Sequence, residues 1–149
     1  MINEKLKLSG QLGIVLRDKD GNIKEKRTEK NLVVTTGLNY IASRMKDATA
    51  TAMTHMGLGS GTTAAAAGQT DLVTLLGSRE ALDSTTVTAN AVASVSSFEA
   101  GDATGAVTEA GIFNAATSGT MLCRVKFDVV NKAADDTMTV TWTITLAAS

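Results

Sequence analysis

The stretch DTMTVTWTITL, residues 136–146, constrains this chain more than any other part of it. Thr137, Thr139, Thr141, Thr143 and Thr145 alternate without a break with Met138, Val140, Trp142, Ile144 and Leu146. A strand sends successive side chains to opposite faces, so the pattern defines one threonine face and one apolar face. A helix would scatter the same apolar residues around its axis. Thr, Val, Ile and Trp also suit a pleated, half-buried surface. The chain must therefore build a sheet whose greasy side faces a second layer.

Other segments repeat the theme. Leu12, Ile14 and Leu16 alternate with Gly13 and Arg17, and the cluster DKDGN at 18–22 then turns the chain back along residues 23–34. This predicts a hairpin over residues 10–34. Its return strand is so polar (KEKRTEKN) that it belongs at an exposed edge, where lysines discourage edge-to-edge pairing. Thr35 or Thr36 is placed to cap a helix whose stripe is Leu38, Ile41, Ala42 and Met45, at i, i+3, i+4 and i+7. Arg44 and Lys46 sit at its end, where cations are favoured. Three turns cannot stand alone, so this stripe is expected to dock on a sheet.

Residues 53–58 (MTHMGL) read as a short strand, 59–70 as a small-residue loop, and 71–76 as one helical turn. Residues 85–98 read as one long strand of Val, Ala and Ser. Val87, Ala89, Ala91, Ala93 and Val95 share one parity while Val92 and Phe98 have the other, which suggests a bulge or a strand facing two layers, and its small residues would let another layer or subunit approach. Residues 101–114 form a loop entering a short strand. Met121, Cys123, Val125, Phe127 and Val129 alternate with Leu122, Arg124, Lys126 and Asp128 in a further strand, and the short link at 131–136 makes that strand the antiparallel neighbour of the closing one. The expected core is Leu12, Ile14, Leu16, Leu38, Ile41, Met45, Cys123, Val125, Phe127, Val140, Trp142 and Ile144.

Composition supports one domain spanning 1–149. A chain of 149 residues can bury roughly two-thirds of its unfolded surface. Aromatics are only 3%, so the core rests on aliphatic side chains around a few rings. With no proline, turns fall to Gly, Asn, Asp and Ser. The net charge of −1 argues against a nucleic-acid binder. It hides an asymmetry: residues 1–30 carry a balance of +3 and the remainder −4. A mildly basic end on an acidic body fits either a solvated hairpin or a contact surface for an acidic partner, with Lys24, Lys26, Arg27 and Lys30 as its candidates. A single cysteine excludes an internal disulfide. MINEKLKLSG lacks the apolar core of a secretory signal, and no apolar run approaches the ~18 residues of a membrane span.

Each constellation that imitates an active site fails on chemistry. Asp18, Asp20, Asn22 and Glu29 echo a calcium loop, but position 6 is Ile23 rather than Gly and the flanks are strands. GLGSGTT at 57–63 lacks the spacing and the lysine of a phosphate cradle. His55 is the only histidine and Cys123 its only possible thiol partner for zinc, so both read as structural. Nothing around Glu99, Asp102 and Glu109 would drive their pKa values apart for acid–base work. The reading is of a non-enzymatic domain without cofactor or metal.

Three runs taken together, MGLGSGTTAAAAGQTDL (56–72), GDATGAVTEAGIFNAATSGTMLCRVKF (101–127) and VNKAADDTMTVTWTITL (130–146), resemble a family of small virion proteins of tailed bacteriophages. The front segment fits as well, with DGN at 20–22, KNLVV at 30–34 and a helix opening TTGLNYIA. The AAAAG loop departs from the family, where a proline is expected. The resemblance implies a mainly β fold, an antiparallel, jelly-roll-like β-sandwich with one short α-helix, assembled as a homotrimer on the virion after synthesis in the host cytoplasm. Its first implied role is a head decoration (cement) protein that clamps the major capsid protein from outside. Its second is a neck, collar or tail fibre or baseplate adaptor. A host-glycan module is a third class, disfavoured by the scarcity of aromatics. No nucleic-acid or membrane partner is implied. Two placements stay open for the charged hairpin: against its own body or against a neighbouring subunit.

Overall fold

The computed structural model describes residues 5–46 and 51–148. The first four residues of the MINEKLKLSG stretch lie outside them. The architecture is an antiparallel β-sandwich. Its strands are β1 (Leu6–Arg17), β2 (Ile23–Lys30), β3 (Leu32–Val33), β4 (His55–Gly59), β5 (Glu80–Ala81), β6 (Ser84–Thr88), β7 (Ala91–Phe98), β8 (Gly105–Phe113), β9 (Met121–Lys132) and β10 (Thr137–Ala148), with helix α1 (Thr35–Arg44) between β3 and β4. Sheet A has the order β2-β1-β10-β7-β6 and sheet B the order β3-β9-β8-β4-β5.

Strand β10 is the threonine strand, and it lies at the centre of sheet A between β1 and β7. Met138, Val140, Trp142 and Ile144 are buried while the threonines are half-buried on the outer face. Leu12, Ile14 and Leu16 of β1 stand opposite Trp142, Val140 and Met138 and complete that inner face. Sheet B supplies Leu58, Ala110, Ile112, Cys123, Val125 and Phe127 from the other side. Burial of this apolar surface is the main stabilising term of such a fold.

The chain forms antiparallel pairs and then changes sheet. β1 and β2 form the expected hairpin, but its return strand ends at Lys30. Asn31 then carries the chain into β3 on the opposite sheet. Its Oδ1 accepts the Trp142 Nε1 hydrogen at 2.9 Å, and its backbone N–H donates to Gly10 at 3.1 Å. In the single chain the hairpin packs on its own body. The expected pairing of β9 with β10 does not occur: the 133–136 link crosses from sheet B to sheet A instead. The long 85–98 strand is two strands, β6 and β7, turned at Ala89–Asn90 with Ala89 at φ 52°. The parity break is therefore a hairpin turn and not a bulge. Residues 71–76 form bends and one isolated bridge rather than a helical turn, and residues 105–113 form a nine-residue strand rather than a short one.

Helix α1 corrects the stripe reading. Leu38 is 49% exposed and Met45 86% exposed, so neither belongs to the core, while Ile41 packs against it only in part. Gly37 is the residue that faces β9, and a Cβ there would overlap the Leu122 carbonyl oxygen. Contact between two backbones fixes the helix with Gly37 inward and rotates the apolar stripe toward its flank. The capping expectation also changes: the N-cap is Val34 and makes no side-chain cap bond. The Thr36 hydroxyl instead donates to the Met121 carbonyl at 3.0 Å, which ties the helix to β9.

Candidate functional site

Two polar constructions dominate the molecule: a cationic face on sheet A and a buried ion pair on the outer side of sheet B. The first contains the four candidate contact residues, and the structure divides them. In β2, Glu25, Arg27 and Glu29 pair with Leu16, Ile14 and Leu12 and so share the core-facing side of the edge. Arg27 donates to Glu25 and to the Asp128 carbonyl of β9, which closes the rim of the sandwich. Lys24 reaches Asp136 at 2.7 Å. That ammonium holds the Asp136 carboxyl below the usual carboxylate range. Lys24 and Arg27 therefore bind the hairpin to its own body. Lys26 and Lys30 project from the outer face and are exposed.

Lys7 joins them, a residue the sequence reading passed over. Lys7, Ser9, Gly10, Gln11, Lys30, Thr143 and Thr145 line one shallow depression across β2, β1 and β10. Register was the missing signal: Gln11 lies opposite Lys30, which sets Lys7 on the same outer side further along β1. Among the described residues no ion pair engages Lys7, Lys26 or Lys30. The depression can take an acidic or carbonyl-rich segment by charge and hydrogen bonding.

The second construction lies beneath residues 60–79, which cover the outer face of sheet B. Glu109 of β8 and Arg124 of β9 are both fully buried and paired at 2.7 Å. Glu109 Oε1 accepts the backbone N–H groups of Gly61 and Thr74 at 3.0 and 2.8 Å, and Oε2 accepts that of Val73 at 3.0 Å. Arg124 also donates to Gln69 Oε1 at 3.0 Å and to the Thr63 carbonyl at 2.9 Å. Burial pushes the Glu109 carboxyl up, but the three amides and the guanidinium outweigh it and hold it below the usual range. A Cβ at Gly59 or Gly61 would press into this carboxylate, so GLGSGTT needs its glycines for close approach. The loop is a clasped lid on the sheet, not a free segment.

The remaining candidates have structural tasks. Asp18 accepts the backbone N–H groups of Asp20 and Asn22, both at 2.9 Å, so its oxygens stabilise the turn. His55 Nδ1 lies 2.8 Å from the Thr54 hydroxyl. Cys123 is buried, and burial pushes its thiol up, away from the reactive thiolate. Buried Lys132 donates to the Glu99 carbonyl at 2.9 Å. Glu99, Asp102 and Glu109 do not converge, because Glu109 is turned toward Arg124. Among the described residues no His, Cys, Asp and Glu side chains gather as a metal would require, and no helix is long and apolar enough to cross a membrane.

One apolar cleft of about 400 Å³ opens where α1 meets the inner face of sheet A. Tyr40, Met53, Val92, Trp142, Ile144 and Leu146 line it, and Thr85 and Val87 of β6 stand at its flank. Fold and surface together define an antiparallel β-sandwich with a cationic outer face. No family model, no curated protein and no solved structure matches the chain.

Proposed function

We propose that this chain is a non-enzymatic structural protein of a tailed-bacteriophage virion, a decoration protein that binds the outside of the head and braces contacts between major capsid subunits. The sequence resemblance points to the family. One structural observation supports a binding rather than a catalytic role: the buried ionisable side chains are tied to loops and turns of the fold, while Lys7, Lys26 and Lys30 lie on one outer face. Those three residues are the capsid-facing surface under this reading, in place of the original four. The three copies implied by the resemblance remain part of the proposal.

A neck, collar, tail-fibre or baseplate adaptor is the second reading, favoured by the same face, since any acidic virion partner fits it. Copy number per particle separates the two: many for decoration, few for an adaptor. The test adds purified protein to particles lacking it and reads bound protein on gels. Changing Lys7, Lys26 and Lys30 together to Gln lowers occupancy, and added salt lowers wild-type occupancy, because surface charge attraction is screened. Unchanged occupancy of the triple variant removes the assignment.

A further inference from the structure

Close packing gives way at one place between the sheets. Protein interiors leave few voids larger than a water molecule, yet the cleft of about 400 Å³ beside α1 reaches Ile112, Leu122, Trp142 and Ile144, all buried. The rotation of the helix accounts for the opening. Gly37 meets the backbone of β9, and Leu38 and Met45, which could have filled the space, are left exposed. An apolar volume of about 300–1,000 Å³ with a few polar groups is what small-molecule sites share. The polar groups here have one sign. Among the described residues that line the cleft, Arg44 is the one cation, and there is no Asp or Glu. Arg44 ends α1 and is exposed, so it stands at the rim. Tyr40 lies one turn earlier on the same side of the helix. Burial pushes its hydroxyl up and the Arg44 guanidinium opposes that, which places the two groups together.

We propose that this cleft binds a free aliphatic carboxylate of medium chain length, its chain laid over Trp142, Ile144 and Met53 and its head group at Arg44 and Tyr40. Charge sets the head group: a cationic rim with no carboxylate in the lining attracts an anion, and a guanidinium fork fits a carboxylate with two parallel bonds. A guanidinium carries five donors, so a contact of Arg44 within the chain leaves others for a ligand. The Tyr40 hydroxyl stays protonated and donates to the same oxygens. The walls set the tail, since Met53, Val92, Ile144 and Leu146 offer aliphatic contact and no hydrogen bond. An alcohol of equal length gains those contacts but not the charge-assisted bonds. The inference stands apart from the virion reading, whose lysines lie on the opposite, outer face of sheet A.

Equilibrium dialysis of the full chain against decanoate and decanol, both below micelle-forming concentrations, tests it. Trp142 is the only tryptophan, so its emission reports from inside the cleft. Wild type binds decanoate saturably, with a shift of Trp142 emission at the same half-saturation, and binds decanol at least about ten-fold more weakly. Arg44→Gln, at an exposed helix end, weakens decanoate binding about ten-fold and leaves decanol binding unchanged. Val92→Phe fills the cleft from β7 and weakens both ligands, with a circular-dichroism melt showing that the variant folds. No saturable binding of decanoate, equal affinity for the two ligands, an Arg44→Gln affinity equal to wild type, or binding that leaves Trp142 emission unmoved each overturns the proposal.

Discussion

The outer faces of the two sheets carry similar polar patterns and end in opposite environments. On sheet A the outer residues of β10 are threonines, half-buried among small neighbours. On sheet B the outer residues of β8 and β9 include Glu109 and Arg124, and both are fully buried under residues 60–79. The difference teaches that the polar side of an alternating strand is not necessarily the wet side. A charge can face outward from a sheet and still be interior if irregular chain is laid over it. The cost of burying such a charge falls when every lone pair finds a donor. Glu109 meets that condition with three backbone amides and a guanidinium, so it serves as an anchor point for a lid without regular structure.

The comparison breaks most sharply at the ion pair. Arg124→Ala strands Glu109 in the interior and should cost about 3–5 kcal/mol, read from chemical denaturation. Trp142→Ala cuts the core beneath both faces and should cost about the same, 3–5 kcal/mol. A value near zero for either would remove its assigned burial. The double variant Glu109→Leu/Arg124→Leu sharpens the point. An isolated buried pair is often replaced by apolar residues at no loss, but here the amides of Gly61, Val73 and Thr74 lose their acceptor. The double variant should remain about 2 kcal/mol or more below wild type, and recovery to wild-type stability would show that the lid does not depend on the carboxylate.

Acid gives a smaller and graded effect. The folded-state pKa of Glu109 lies below its unfolded value, so its contribution is complete above the ordinary glutamate pKa, near 4.3, and is lost as the pH falls through the folded value. Asp136, held down by Lys24, adds in the same direction. Thermal melts should drop below about pH 4 more steeply in wild type than in the double variant. Thr141→Val on the bare face should change stability by no more than about 0.5 kcal/mol, and a larger change would mean that this face is not bare.

The sequence exposed what alternation can encode. The β10 pattern located the inner face of sheet A from Met138 to Ile144, where burial follows parity, and only Leu146 at its end is half-buried. The hairpin of β1 and β2 was legible from its turn chemistry. Pairing between distant strands was not: the short 131–136 link suggested adjacency, yet sandwich topology sends β9 and β10 to different sheets. The helix misled for a related reason. Its apolar stripe was real, but a glycine that lets two backbones touch decided the rotation. Glu109 was noticed in the sequence, but its buried pairing was not legible there, since its partner lies on another strand and its donors on a loop. One signal was present: residues 107–113 read VTEAGIF with no true alternation, as expected of a strand covered on both faces.

The pairing of Leu6 with Ala148 through to Arg17 with Thr137 joins the first described strand to the last. That contact joins residues about 120 to 140 positions apart, so during synthesis the β1–β2 hairpin waits, one flank open, until β10 leaves the ribosome. Shortening the tail by a dozen residues would thus remove the middle of a sheet rather than trim its border. Joining the two ends with a few added residues and opening a surface turn elsewhere should yield a permuted chain with the same wiring.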